Sequence, residues 1–194
     1  MAETMIALAT LMEGITDLVV WARSDDDGAT DAGAVYILFM NADGTVASNQ
    51  KISALEGGFT DSLVTANYFG YDVAGIGDYD GDNVPDIAVS APNPDNQAIH
   101  VLHLRSNGTV KSMIKTTGIN AQGLSAIGDL NGDGRIDLVA AEPRAAGGGA
   151  IRILFLMTTQ PLTQMKRWLL VQPKAASAPV FQRTTSSVVV NQHC

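Results

Sequence analysis

The stretch GDYDGDNVPDIAVSAP, residues 77–92, sets Asp78, Asp80, Asp82 and Asp86 within nine positions and then turns apolar. Carboxylates this close repel one another, so the crowd asks for a cation. A second loop repeats the arrangement, Asp129-Leu-Asn131-Gly-Asp133-Gly-Arg135-Ile-Asp137, again directly before an apolar run. In both, oxygen-bearing side chains fall at loop positions 1, 3, 5 and 9. Alternate residues of a tight loop point inward, so positions 1, 3 and 5 converge. Position 7 offers only its backbone carbonyl, which is why Val84 and Arg135 are admissible there. Asp86 and Asp137 close the shell at position 9.

The expected metal ligands are therefore Asp78, Asp80, Asp82, Val84 and Asp86 in one loop, and Asp129, Asn131, Asp133, Arg135 and Asp137 in the other. About six hard oxygens with excess negative charge suit Ca²⁺ better than Mg²⁺, which holds its water tightly. The expectation is about two structural Ca²⁺ sites. Gly81, Asn83, Gly132 and Gly134 permit the positive φ such a turn needs. The lack of nearby Cys and His argues against zinc. An EF-hand needs Glu at position 12 in a helix; here that position is Val89 or Ala140, each in a strand-like run, which excludes it.

Overlaying the chain on itself shows that the loops belong to a larger repeat. GITDLVVWA from Gly14, NVPDIAVSA from Asn83 and GRIDLVAAE from Gly134 align on Asp17, Asp86 and Asp137. A second element follows each: GAVYILF (33–39), QAIHVLH (97–103) and GAIRILF (149–155). NADGTV (41–46) and SNGTV (106–110) supply hairpin turns. Each unit reads as four strands. The spacing predicts strands at 5–10, 17–22, 34–40 and 45–53 in the first unit. It predicts 71–77, 86–91, 98–104 and 110–116 in the second, and 124–128, 137–142, 150–157 and 165–172 in the third. A four-stranded unit with a period of roughly 50 residues marks a propeller blade. The fold class read here is all-β, a partial β-propeller of about three four-stranded antiparallel blades; a generic antiparallel β-sandwich is the alternative. The organisation follows as a degenerate first blade (1–53), a linker (54–68), a second blade (69–116), a third (117–172) and a tail (173–194), disordered or an added strand.

The first unit departs from the pattern. Its equivalent positions are Ala9, Leu11, Glu13, Ile15 and Asp17, a set that cannot form the cage. A separate acidic turn, SDDDGATD (24–31), offers Asp25, Asp27 and Asp31 either to a further ion or to solvent.

Composition fits a folded β-protein: of 194 residues, 46% are apolar and 16% charged, with 19 Gly against 7 Pro. A net charge of −8 disfavours nucleic-acid binding. No apolar run reaches the ~18 residues of a membrane span. MIALATLM (5–12) lacks a basic flank and does not read as a signal peptide. Cys194 is the only cysteine, so no internal disulfide forms. His100 and His103, three apart on a strand, face opposite sides and have no obvious nucleophile beside them.

With these motifs assembled, NYFGYDVAGIGDYDGDNVPDIAVSAP (67–92) resembles an FG-GAP repeat, the unit of the integrin α-subunit β-propeller and of many bacterial and algal surface proteins. Phe69-Gly70 matches the FG element and Ser90-Ala91-Pro92 stands at GAP. The third unit has Asn120-Ala121 and Ala141-Glu142-Pro143 there, and the first has Trp21-Ala22-Arg23 at GAP. The resemblance implies structural calcium, no catalysis and a cell-surface or extracellular setting. It implies a protein or glycan ligand met by the B–C and D–A loops, here 24–33, 92–97 and 142–149. Family propellers usually close with seven blades, so further blades, from additional sequence or self-association, are expected. Such repeats also accompany secreted hydrolases, and a purely structural repeat is a third reading.

Overall fold

A computed structural model describes residues 5–7, 16–93, 95–146, 148–156, 167–173, 182–184 and 187–192. All its regular elements are strands. The first sheet has β1 (Met5–Ala7), β2 (Leu18–Ala22), β3 (Ala34–Met40) and β4 (Val46–Ile52) in that spatial order. The second has β5 (Val73–Gly77), β6 (Asp86–Ala91), β7 (Ala98–Leu104) and β8 (Val110–Thr117), again in chain order. The third begins with β9 (Gly123–Ala126), β10 (Leu138–Glu142), β11 (Ala150–Phe155) and β12 (Arg167–Pro173). Up to this point every neighbouring pair is antiparallel.

The third sheet then departs from the four-strand expectation. The tail adds β13 (Gln182–Thr184) and β14 (Ser187–Gln192), and β14 pairs in parallel with β12. The strand-forming signal was present in the Val188–Val190 run.

The first strands of the three sheets approach one another, β5 lying beside both β1 and β9. Meanders whose first strands gather around one axis make a partial β-propeller. Two apolar layers hold it together. Val19, Trp21, Ile37 and Ile52 of the first sheet meet Ile87, Val89, Leu102 and Leu104 of the second, with Phe59, Leu63 and Phe69 of the connection wedged among them. The other face of the second sheet, Ala88, Ile99, Val101 and Ile114, meets Leu124, Leu138, Ala140 and Leu154 of the third.

Successive strand residues point to opposite faces, so only a strand covered on both sides can be apolar throughout. β6 and β7 are covered on both sides, and all their residues are buried, the polar Asp86, Ser90, His100 and His103 included. The outer strand β4 is mostly exposed and carries VASNQKI, a polar edge that discourages further pairing.

The Phe69-Gly70 element has a clear local purpose. Phe69 is fully buried, with its ring 4.7 Å from that of Phe59, and its backbone bridges to Gly33, just before β3. Burying a side chain of this size contributes about 2–3 kcal/mol. Gly70 has φ +79°, and a Cβ there would stand 2.6 Å from the Ala34 carbonyl oxygen. Gly70 and Tyr71 both donate their N–H to the Ser90 carbonyl, which ties this element to the Ser90-Ala91-Pro92 segment.

Candidate metal centre

In loop 78–86 the Asp78 carboxylate organises the backbone. Its Oδ1 accepts the N–H of Gly81 (2.7 Å) and Asp82 (2.9 Å), and its Oδ2 accepts that of Asn83 (2.8 Å). Gly81 and Asn83 take positive φ, +85° and +66°, to complete the curl. Asp86 enters from the first position of β6. Its Oδ2 accepts the N–H of Tyr79 (3.0 Å) and Asp80 (3.3 Å), and its Oδ1 accepts that of Leu104 (2.9 Å).

Oxygens of Asp78, Asp80 and Asp86 consequently lie within 4.8 Å of one another. Ligands at 2.3–2.6 Å from one Ca²⁺ stand at most about 5 Å apart, so this carboxylate cluster is able to hold a divalent metal ion. Burial pushes the Asp86 carboxyl up to about 7, the Asp80 charge adds to that, and the Leu104 and Tyr79 N–H groups oppose it. A bound cation would favour the carboxylate instead.

The remaining expected residues fall as follows. The Asp82 carboxylate lies 2.6 Å from the Lys111 ammonium, which also reaches Asp80 at 2.8 Å. Hydrogen bonding to Lys111, aided by the Val84 N–H, holds the Asp82 acid below its ordinary range. Val84 donates its N–H to Asp82 and packs its side chain against the layer between the first two sheets. Sequence reasoning passed over Lys111, whose signal was only a lone cation at the start of the fourth strand.

Loop 129–137 repeats the backbone pattern. Asp129 accepts the N–H of Gly132 (2.7 Å), Asp133 (3.0 Å) and Gly134 (2.7 Å). These bonds, the one from Gly134 foremost, hold its carboxyl below the ordinary range. Asn131 accepts the Asp133 N–H at 2.9 Å and donates its amide to the Asp133 carboxylate at 3.0 Å. Asp133 in turn accepts the N–H of Arg135 at 3.0 Å. Asp137 accepts the N–H of Leu130 (2.9 Å) and of Leu156 (3.2 Å).

Arg135 does more than supply a loop position. Its guanidinium lies 4.4 Å from the centre of the Tyr79 ring and donates to the Tyr79 carbonyl, joining one acidic loop to the other. A cavity of about 380 Å³ opens between the loops, lined by Asp78, Tyr79, Asp133 and Arg135 among others.

Asp17 occupies the equivalent place in the first sheet. It is buried, and its Oδ1 accepts the N–H of Met40 at 3.0 Å. Ala9, Leu11, Glu13 and Ile15 lie outside the described residues. The partners Met40 and Leu104 both sit at register shifts, after Phe39 and after His103. Such a bulge re-aims a backbone group. Here it delivers an N–H to a buried carboxylate.

In the acidic turn 24–31, Ser24, Asp26, Gly28 and Thr30 are exposed, while Asp25 and Asp27 have a protein partner. Asp25 and Asp27 flank Lys51 of β4 at 2.9 and 2.7 Å, and Ser53 donates to Asp27 at 2.8 Å. Hydrogen bonds from Lys51 and Ser53 keep the Asp27 acid low.

The histidines face opposite sides, as their spacing requires. His100 is buried between Phe59 and Phe69, with Nε2 2.9 Å from Asp61, which also pairs with Lys115 at 2.8 Å. Burial pushes its pKa down, so it serves as a neutral pin for the 54–68 connection. His103 corrects one expectation: a hydroxyl does stand beside it, Ser112 Oγ at 2.7 Å from Nδ1. Its Nε2 is buried with no hydrogen-bond partner among the described residues. The Tyr79 ring stacks on the imidazole at 5.5 Å, and among the described residues no acid hydrogen-bonds to it as a serine-activating arrangement requires.

Residues 78–140, which contain both loops, match the FG-GAP-like repeat family model. The chain thus carries an FG-GAP-like repeat. Its likeness extends to the integrin α-subunits: it is 28% identical over 190 residues to integrin alpha-3 of Cricetulus griseus, covering 95% of this chain and 17% of that protein. It is 38% identical over 89 residues to integrin alpha pat-2 of Caenorhabditis briggsae, covering 45% and 7%. It is also 30% identical over 150 residues to the phosphatidylinositol-glycan-specific phospholipase D of Bos taurus, covering 71% and 18%. The chain thus spans about a sixth of the length of the first of these relatives.

Proposed function

We propose that this chain is a non-catalytic, calcium-stabilised recognition module that meets a protein or glycan ligand at a cell surface or outside the cell. One observation carries the reading: two acidic loops at repeat-equivalent positions share one hydrogen-bonded backbone, and in one of them three carboxylates share a focus. The ions bind at Asp78, Asp80, Asp82, the Val84 carbonyl and Asp86, and at Asp129, Asn131, Asp133, the Arg135 carbonyl and Asp137. Their role is structural: they neutralise the loops and fix the first two strands of each blade. The opposite ends of the blades, with loops 24–33, 92–97 and 142–149, meet the ligand.

Calcium that binds only the folded chain adds stability by mass action, about 2.7 kcal/mol per site at a hundredfold excess over its Kd. Melting in millimolar Ca²⁺ should therefore exceed melting in chelator by several degrees. Calorimetric titration should resolve about two sites, one of them lost in Asp133→Ala. Superimposable melting curves with and without calcium would remove the proposal.

The likeness to phosphatidylinositol-glycan-specific phospholipases D favours a second reading, in which this propeller is the accessory domain of a secreted hydrolase. Turnover by this chain alone on a hydrolase substrate panel would displace the non-catalytic reading altogether.

A further inference from the structure

A cleft of about 600 Å³ opens among the loops at the ends of the blades opposite the acidic loops, within the size range of small-ligand sites. Three sheets contribute to it. Arg23 and Asp31 come from the loop after β2, Tyr68 and Tyr71 from the approach to β5, Asn120 and Gln122 from the approach to β9, and Arg144 from the loop after β10. Two tyrosines, two amides and three charged groups on separate loops are not needed to close an apolar layer.

The chemistry of these groups is selective. Arg23 lies 5.4 Å from the centre of the Tyr71 ring, so the cation and the aromatic face are already combined. Asn120 donates to the Pro92 carbonyl at 2.9 Å and accepts from Gln122 at 3.1 Å, which fixes both amides before any ligand arrives. Arg144 is exposed and has no ion-pair or hydrogen-bond partner among the described residues. Most other described cations are spoken for: Lys51, Lys111, Lys115 and Arg152 pair with carboxylates, and Arg105 and Arg135 donate to carbonyls. The backbone is strained here too. Among the described residues, Asp31, Ala66 and Tyr68 are three of the four non-glycine residues with positive φ, and two of them line the cleft. Strain of this kind persists where the surroundings over-determine it, often at ligand clamps.

From this arrangement we infer that the cleft binds a saccharide bearing a single carboxylate, such as a uronic acid. The inference rests on the recognition reading above and names the ligand class of that face. Arg144 and Arg23 pair with the carboxylate, a tyrosine ring stacks on the apolar face of the sugar, and Asp31 with the amides takes the hydroxyls. Asp31 also decides against polyanions, because a carboxylate in the site repels the second and third negative charges of a sulfated chain or a run of acidic residues.

The test uses the full chain in millimolar Ca²⁺, isotopically labelled, titrated by NMR with cellobiouronic acid and with cellobiose, its neutral counterpart. The acid should bind roughly tenfold more tightly, shifting resonances of residues 68–71 and 120–122. The advantage should vanish in Arg144→Gln, an exposed substitution that leaves the layers intact. Equal affinity for the two sugars, or no binding of either to ~10 mM, overturns the inference. If an acidic tetrapeptide shifts the same resonances while the sugars do not, the saccharide assignment falls and the recognition face stands. If a ligand found by array or pull-down maps to the acidic-loop end instead, both fall.

Discussion

Loops 78–86 and 129–137 follow one backbone path with one set of hydrogen bonds, yet they reach their charge balance by different routes. The second blade carries four carboxylates and sets Lys111 across Asp80 and Asp82. The third replaces Asp80 with Asn131 and has no need of the lysine. Four carboxylates less one ammonium leave three negative charges, the number that Asp129, Asp133 and Asp137 carry without help. The same balance of three negative charges is thus reached by compensation in one blade and by composition in the other. The first blade extends the lesson. Asp17 makes the position-nine bond to Met40 in a unit with Ala9 and Leu11 at loop positions 1 and 3, so that aspartate has a purpose apart from metal: it fastens the start of the second strand to the end of the third.

The largest effect should come from separating these two roles. Asp86→Ala leaves the N–H groups of Leu104, Tyr79 and Asp80 without their acceptor, and Asp137→Ala strands those of Leu130 and Leu156. Each should cost about 2–3 kcal/mol in urea unfolding even with chelator present, and calcium should then restore less than it gives the unaltered chain. Asp17→Ala should lose a similar amount, equal in calcium and in chelator. A first-blade variant whose loss depends on calcium, or second- and third-blade variants as stable as the parent in chelator, would break the comparison.

Much of this was legible in the sequence because it repeats. The three aspartates, the turn pairs at Asp43-Gly44 and Asn107-Gly108, and the largely apolar runs of β6 and β7 each follow from local rules of period and turn chemistry. What escaped were contacts between residues far apart in the chain. Lys111 meets its loop from 29 residues away and Arg135 reaches Tyr79 across 56; neither partner is marked by spacing. Asp25 and Asp27 read as open to an ion or to solvent because their ion-pair partner, Lys51, lies at the far end of the next hairpin. The parallel addition of β14 was equally hidden, since a short Val run specifies a strand but not its neighbour.

The charge argument is sharpened by a pair of substitutions that should act alike. Lys111→Met removes the compensating cation and Asn131→Asp adds the fourth carboxylate, so each leaves its loop with four negative charges. Each should tighten calcium binding at its own loop by roughly fivefold, the effect of one unit charge several ångströms away in a mostly solvated site, and added salt should shrink the gain. Weaker binding in the lysine variant would mean that Lys111 orders Asp80 and Asp82 for the ion instead of competing with it. The equivalence of the two loops would then be coincidental.

The smallest effect is expected at the acidic turn, and it is informative for being small. Asp25 and Asp27 enclose Lys51 much as Asp80 and Asp82 enclose Lys111, but the turn gathers no third carboxylate oxygen within reach; among the described residues the one such cluster is Asp78, Asp80 and Asp86. An ion pair alone satisfies this turn. Asp27→Ala should accordingly leave the calcium isotherm unchanged in stoichiometry and affinity, while lowering the melting temperature slightly and equally in calcium and chelator through the lost contacts to Lys51 and Ser53. Loss of a calcium equivalent in that variant would show that a lysine bridging two aspartates marks an ion site by itself. The distinction between the turn and the loops would then have to be drawn from something other than the third oxygen.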